Sequence, residues 1–237
     1  MKTPTELIVA LDMPRPDKAM RFVDVLDDLP VIFKVGFELF LGGGHEVVRE
    51  LVHRKKRVFL DLKFHDIPNT VARASKLATL MHVEMFSVHL AGGSMMVKAI
   101  RDVLSETSSI SPKLLGVTVL TSFDDVRWAE VTKAMTGHAV ETSDSVLGLA
   151  EHAVSWGVDG LICSALELPL IRKRLPKVFV VVPGIRLVAS GTDDQARVMT
   201  PEMARKGGAD AIVVGRPIIE SNDPRLSTES ILKQLAD

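Results

Sequence analysis

The stretch Asp61-Leu-Lys-Phe-His-Asp-Ile-Pro-Asn-Thr70 is the part of this sequence that does most to decide its fold. The residues before it, Arg57-Val-Phe-Leu60, are mostly apolar and typical of a buried strand. Pro68, near the end of the ten-residue stretch, opens a run compatible with a helix. Asp61 and Lys63 are two residues apart, so on a strand their side chains point to the same face. Asp66 follows three residues later, where the strand should have ended.

These three residues place one cation between two anions at the carboxyl end of a predicted strand. Charge is costly to bury, and charged residues at the strand ends of α/β folds often take part in chemistry. The alternative is an ordinary ion pair on the surface. The pattern favours a functional site, and the rest of the chain is interpreted around it.

Composition sets limits on the class of protein. The 237 residues suit one large α/β domain or two small ones, and since no linker-like segment divides them we expect 1–237 to be a single domain. A net charge of −1, few aromatic residues and no tyrosine argue against a nucleic-acid partner. The single cysteine, Cys163, excludes an internal disulfide and a cysteine metal cluster. The first apolar run is too short for a signal peptide or a membrane span, so we expect a cytoplasmic protein without a membrane partner.

Short apolar runs recur along the whole length, and most are continuously apolar rather than alternating. That pattern is typical of parallel strands covered on both faces. The runs are Leu7–Leu11, Val31–Val35, Val58–Lys63, Met85–Leu90, Leu114–Leu120, Gly160–Cys163, Val178–Val182 and Ala211–Val214.

Helix-compatible stretches lie between these runs. They are Asp17–Leu26, Glu46–Arg54, Val71–Met81, Ser94–Leu104, Ser143–Ser155, Leu166–Leu175 and Asp193–Arg205, with Leu226–Leu235 closing the chain. Thr142-Ser143-Asp144 are candidate caps, and the long interval from Thr121 to Gly160 is expected to hold an extra helical segment. Eight strand–helix units predict a (β/α)₈ barrel, with a doubly wound open sheet as the alternative.

Polar residues stand at the predicted strand ends, which is where barrels carry their active sites. Lys34 lies within an otherwise apolar run and must find an anion, for which Asp61 is the predicted partner, unless the lysine snorkels from an edge. His65 and His89 are interpreted as structural residues. The full set at or just after strand ends is Asp12, Lys34, Asp61, Lys63, Asp66, His89, Thr121, Ser122, Arg186 and Arg216.

The ends of the last two strands resemble a phosphate site. Arg186 and Arg216 each offer a planar guanidinium to phosphate oxygens, and barrels often bind phosphate here through backbone N–H groups. The stretch 187–194 is loop-like and could fold over a ligand, with Gln195 following at a helix start. The glycines that would allow close backbone approach or tight turns are Gly184, Gly208 and Gly215.

On these residues the chain resembles the orotidine 5′-monophosphate decarboxylase family along essentially its whole length. The ten-residue motif Asp61–Thr70 is highly specific for this family. The glycine–arginine turns alone would not be specific. The pieces are Val9–Asp12, Phe33–Gly36, Asp61–Thr70, Val117–Ser122, Pro183–Arg186, Asp194–Gln195 and Val213–Arg216.

The resemblance implies a homodimeric (β/α)₈ barrel with active sites at the dimer interface and neither a metal nor an organic cofactor. It implies decarboxylation of orotidine 5′-monophosphate to uridine 5′-monophosphate and CO₂ in de novo pyrimidine biosynthesis. Lys63 would stabilise the carbanion and donate the proton, within a network of Lys34, Asp61 and an Asp66 supplied by the other subunit.

Substrate contacts are implied for further residues. Asp61 would lie near the departing carboxylate, and Thr70 would reach across the interface. Thr121 would contact the pyrimidine in preference to its neighbour Ser122. The remaining implied contacts are Asp12 and Lys34 with the ribose, and Arg186, Gln195, Gly215 and Arg216 with the 5′-phosphate.

Two other functions remain open at this point. Related sugar-phosphate decarboxylases and aldehyde-forming lyases share the Asp-x-Lys-x-x-Asp pattern but use Mg²⁺ and an enediolate. A non-catalytic nucleotide-binding barrel would bind the phosphate without releasing CO₂. The His65–Thr70 continuation of the motif favours the nucleotide enzyme over the first, and the intact set of charged residues argues against the second.

Overall fold

Eight parallel strands close into a barrel in which each strand pairs with the next and the last pairs with the first. The computed structural model describes residues 4–107, 111–186 and 199–236. This confirms the predicted (β/α)₈ barrel, and the open-sheet alternative is wrong. The strands are β1 Glu6–Ala10, β2 Val31–Val35, β3 Arg57–Phe64, β4 Met85–His89, β5 Lys113–Val117, β6 Gly160–Ile162, β7 Phe179–Val182 and β8 Ala211–Val214.

Helices connect the strands on the outside of the barrel. They are α1 Pro16–Val25, α2 Phe37–His53, α3 Pro68–Leu80, α4 Gly93–Thr107, α5 Asp125–Thr136, α6 Thr142–Trp156, α7 Leu168–Arg174, α8 Pro201–Gly207, α9 Arg216–Ile219 and α10 Pro224–Ala236. Within the described part of the chain, no helix is both long and apolar enough to cross a membrane.

Four of the predicted helical segments need correction or comment. The extra segment after the fifth strand is confirmed as α5, which Asp124 caps by accepting a hydrogen bond from the backbone N–H of Arg127. The predicted cap of α6 is wrong, because its N-cap is Glu141 without a side-chain hydrogen bond and Thr142 is already helical. α2 begins at Phe37, well before the predicted start, and kinks at Gly44 where φ is 59°. Part of the predicted helix Asp193–Arg205 lies outside the described residues.

The strands are buried on both faces, which is why their sequences are continuously apolar rather than alternating. One face packs against the helices, and the other fills the barrel interior with a separate cluster of apolar side chains. Inward-facing members of that cluster include Ile8, Ile32, Phe59 and Met85. Successive inward positions lie two residues apart, so Lys34 follows Ile32 and Asp61 follows Phe59 toward the carboxyl end. The barrel interior thus changes from apolar to charged at that end.

β3 carries an irregularity at the point where this change occurs. Leu60 pairs with Phe86, but the next pairing on β4 is that of Phe64 with Val88. Three residues of β3, from Asp61 to Lys63, therefore lie opposite the single residue Ser87. Bulges of this kind re-aim side chains and are frequent beside active sites.

A separate ion-pair cluster lies at the amino ends of the strands. Arg57 makes two hydrogen bonds of 2.5 Å to Glu84, and its guanidinium also pairs with Glu6 at 2.7 Å. Burial alone would raise the pKa of Glu84, but the hydrogen bonds and charge of Arg57 outweigh it and lower that pKa. In barrels this end contributes to stability rather than to chemistry.

Candidate active site

An alternating array of two carboxylates and two lysines crosses the carboxyl ends of the first three strands. Lys34 Nζ donates a 2.9 Å hydrogen bond to Asp12 Oδ1 and lies 3.8 Å from Asp61 Oδ2. Lys63 Nζ donates to the same Asp61 oxygen at 2.9 Å. The predicted pairing of Lys34 with Asp61 is confirmed as an ion pair, and the snorkelling alternative is wrong, because Lys34 is only 8% exposed.

The hydrogen bond from Lys34 to Asp12 was not predicted. It follows from the register of the first two strands, in which Ala10 lies beside Lys34 and the backbone N–H of Leu11 donates to the Lys34 carbonyl at 2.9 Å. Asp12 then lies just past the strand end, within reach of the ammonium. Gly36 leaves room for this pair, since a Cβ there would lie 3.0 Å from Lys34 Nζ.

Ser87 joins the array from β4 and was also missed from the sequence. Its hydroxyl donates a 2.7 Å hydrogen bond to Asp61 Oδ1 and accepts one of 2.9 Å from the backbone N–H of Lys63. A lone serine within an apolar strand carries no signal of such a role. Asp61 thus receives hydrogen bonds on both oxygens, which fixes the plane of its carboxylate.

A cavity of about 270 Å³ opens beside the array. The four charged residues line it together with residues of the segments that follow β7 and β8, including Arg186, Gly215 and Arg216. Lysine and arginine groups that line one cavity suit a ligand that carries two separate anionic groups. Most of the predicted site residues therefore converge on one cavity.

A second cavity, of about 300 Å³, adjoins the first. Thr121, Pro183 and Gly184 line both, whereas Ser122 lines only the second. Of the two neighbouring hydroxyl residues, Thr121 is therefore the one that borders the charged cavity.

Two of the glycines predicted at the phosphate end, Gly184 and Gly215, line the charged cavity. Gly184 has a φ of 80°, a backbone conformation that favours glycine, and a Cβ on Gly215 would lie 3.4 Å from both Ala10 and Asp12. Gly208 does not belong here, because it caps the end of α8 and lies on the amino side of β8. Gln195 and the stretch 187–194 lie outside the described residues.

Two predicted site residues lie away from this cavity within the chain. Asp66 is exposed, and its Oδ1 accepts a 2.6 Å hydrogen bond from the backbone N–H of Ile67. Thr70, on the first turns of α3, is also exposed. The chain therefore pairs Lys63 with Asp61 but does not itself bring Asp66 to the array.

His65 and His89 stack on each other beside this region, with ring centroids 5.3 Å apart. His89 Nδ1 accepts a hydrogen bond from the backbone N–H of Ala91. Burial lowers the pKa of His89, and the positive charge of His65 and Lys63 lowers it further. These contacts agree with the structural role predicted for both histidines.

In the ranges that the structure describes, no three side chains of His, Cys, Asp or Glu are grouped closely enough to hold a metal ion. The carboxylates of Asp12 and Asp61 are instead directed at lysine ammonium groups.

A closed (β/α)₈ barrel with lysines and carboxylates converging at the carboxyl ends of its strands belongs to the large class of barrel enzymes. A sequence profile described as "Orotidine 5'-phosphate decarboxylase / HUMPS family" matches residues 5–231. Since this match spans nearly the whole chain, the protein belongs to the orotidine 5′-phosphate decarboxylase family.

Individual relatives agree with this assignment. The chain is 44% identical over 231 residues to the orotidine 5′-phosphate decarboxylase of Pseudomonas putida strain W619, covering 98% of this chain and 97% of that protein. The corresponding enzyme of Pseudomonas fluorescens strain Pf-5 is also 44% identical, over 98% of this chain and 97% of that protein.

Solved structures show the same similarity. The crystal structure of orotidine 5′-phosphate decarboxylase from Lactobacillus acidophilus has a TM-score of 0.85 and 36% identity, covering 98% of this chain and all of that one. An uncharacterized conserved protein from Geobacillus kaustophilus has a TM-score of 0.83 and 31% identity, covering 97% and 99% of the two chains.

Proposed function

We propose that this protein decarboxylates orotidine 5′-monophosphate to uridine 5′-monophosphate and CO₂ in de novo pyrimidine biosynthesis, as a single-domain enzyme of the cytoplasm. The observation that carries the proposal is the Asp12–Lys34–Asp61–Lys63 array, which faces the same cavity as Arg186 and Arg216. The substrate has two anionic groups, a carboxylate on the ring and a 5′-phosphate. The lysines and the arginines that line the cavity supply cations for both groups.

The chemistry explains why a fixed ammonium is needed. When the bond from C6 to the carboxylate breaks, the electron pair stays on C6, and no adjacent carbonyl can accept it. A preorganised positive charge in the cavity stabilises this carbanion without reorganisation during the reaction. Lys63 supplies that charge and then donates a proton to C6, forming the product, and water restores the proton to the lysine.

Asp61 serves two purposes in this scheme. It holds the Lys63 ammonium at 2.9 Å, and its negative charge lies near the departing carboxylate, where like charges disfavour the ground state. Repulsion of this kind makes a debated contribution to catalysis. The positioning of Lys63 is therefore the role that we assign to Asp61 first.

The remaining contacts hold the nucleotide. Lys34 and Asp12 contact the ribose hydroxyls, and Thr121 contacts the pyrimidine. Binding energy from the phosphate, far from C6, can drive closure over the substrate and so contribute to rate as well as affinity. The phosphate contacts are Arg186, Gln195, Gly215 and Arg216. The proposed reaction uses neither a metal nor an organic cofactor.

In this proposal the complete active site forms only in a homodimer, from residues of both chains. Asp66 and Thr70 are exposed on their own chain, and Ile67 between them is 67% exposed, as expected for residues that another subunit covers. Each site then takes Lys63 from one chain and Asp66 with Thr70 from the other. Two-fold symmetry gives two such sites per dimer.

The direct test is loss of orotidylate absorbance on addition of the purified protein, measured with and without EDTA. We expect turnover that EDTA does not change. Activity on sugar phosphates that disappears with EDTA would support the Mg²⁺-dependent alternative instead. Nucleotide binding without CO₂ release would refute the enzymatic proposal.

A further inference from the structure

Ser87 is the one residue of β4 that lies opposite the bulge in β3, and it is fully buried. Its hydroxyl makes one hydrogen bond to the side chain of Asp61, at 2.7 Å, and one to the backbone N–H of Lys63, at 2.9 Å. The two residues that most directly face the reacting carbon in the proposed function are therefore held by the same oxygen atom. Ser87 does not itself line the charged cavity.

The backbone of Lys63 explains why such a constraint is needed. Its φ is +43°, a left-handed conformation that is strained for a lysine and persists only when the surroundings enforce it. This conformation lies within the bulge and directs Nζ toward Asp61 Oδ2. The hydrogen bond from the Lys63 N–H to Ser87 is a contact that stabilises it from the neighbouring strand.

We propose that Ser87 is a positioning residue that fixes the Asp61 carboxylate and the strained backbone of Lys63 in their productive arrangement. This inference rests on the proposed decarboxylase function. Ser87 acts with a single hydroxyl, which donates to one residue and accepts from the other. A preorganised charge loses effect when it is free to move, so this hydroxyl contributes to turnover and not to binding of the phosphate.

The sharpest test compares Ser87→Thr with Ser87→Val, because the two replacements have the same shape and only threonine keeps the hydroxyl. We expect kcat of the threonine variant to exceed that of the valine variant by about 10- to 100-fold, the size expected when a charged group loses a hydrogen bond. KM for orotidine 5′-monophosphate and Kd for uridine 5′-monophosphate should agree within about threefold between them, as estimated from the contacts left intact.

A control at another buried hydroxyl separates positioning from general stability. Thr228→Val removes a hydroxyl in α10 that donates to the Pro224 carbonyl at 2.7 Å, far from the cavity. We expect it to lower Tm without changing kcat. Equal kcat for the threonine and valine variants of Ser87, with an active parent, would overturn the proposal for Ser87 alone. A parent protein with no decarboxylase activity would overturn the proposed function and, with it, this inference.

Discussion

Replacing Lys63 with alanine removes the one group that the proposed mechanism uses both as a charge and as a proton donor. A unit charge about 4 Å from the developing carbanion stabilises it by about 4 kcal/mol at an effective dielectric constant of 20, which is about a thousandfold in rate. General acid catalysis adds about a hundredfold or more. We therefore expect kcat of Lys63→Ala to fall by at least about 10⁵-fold.

Binding should be much less affected than turnover. The substitution leaves Asp61 with its hydrogen bond from Ser87 and its ion pair with Lys34, and it leaves the arginines that line the cavity. Product nucleotide should therefore still bind. Turnover is measured from loss of orotidylate absorbance, and binding of uridine 5′-monophosphate by calorimetry.

A lysine at the opposite end of the barrel provides the matched control. Lys113 begins β5, and its Nζ lies 3.6 Å from Glu84 Oε1 in the cluster at the amino ends of the strands. Lys113→Ala also removes an ion-paired lysine, but we expect its kcat to equal that of the parent. Turnover of Lys63→Ala within tenfold of the parent would refute the role assigned to Lys63.

Three further predictions address the phosphate, the histidine pair and the dimer. Arg216→Ala should lower kcat/KM for the nucleotide by about 10- to 150-fold while hardly changing that for the phosphate-free nucleoside, because it removes a charge-assisted contact; equal losses would indicate structural damage. Because the folded-state pKa of His89 lies below the ordinary value of 6.5, the unfolded chain takes up a proton that the folded chain does not, so stability is lost as pH falls below 6.5. His89→Asn should lose less stability in urea unfolding between pH 7 and pH 5 than the parent; parallel curves for the two proteins would contradict this. Reassembly of inactive Lys63→Ala with inactive Asp66→Asn should restore about a quarter of parental activity, since half the dimers are hybrids with one intact site; no recovery after confirmed subunit exchange would exclude Asp66 acting from the other subunit.

The fold was predictable because its signal is repeated along the chain. Eight continuously apolar runs, separated by helix-compatible stretches, leave few topologies besides a barrel. Element ends were less predictable. The fifth strand was expected to reach Leu120, but it ends at Val117, and Thr118 just beyond it donates both its backbone N–H and its hydroxyl to the Ile162 carbonyl. Apolar residues beyond a strand can be buried for other reasons, so hydrophobicity alone does not mark where pairing ends.

The membership of the site was more predictable than its internal pairing. Asp12, Lys34, Asp61 and Lys63 could be assigned to one end of the barrel, because the carboxyl ends of parallel strands meet there. Which carboxylate receives the hydrogen bond of Lys34 depends on the register of β1 and β2, and no residue type encodes that register. Gly208 was placed at the phosphate end only because it precedes the last strand closely. Its actual position at the end of α8 satisfies a backbone requirement for positive φ, which is 94° there.

The bulge in β3 shows where sequence reasoning reaches its limit in this protein. Alternation along a regular strand correctly predicts that Asp61 and Lys63 share a face, but a regular strand would not need a positive φ at Lys63. Lysine has no preference for that conformation, and no sequence pattern in residues 57–64 predicts it. The compensating contact comes from Ser87, which is 24 residues further along the chain and belongs to another strand. A strained residue and the neighbour that stabilises it are together a property of the folded barrel, so the geometry that we assign to catalysis becomes visible only in three dimensions.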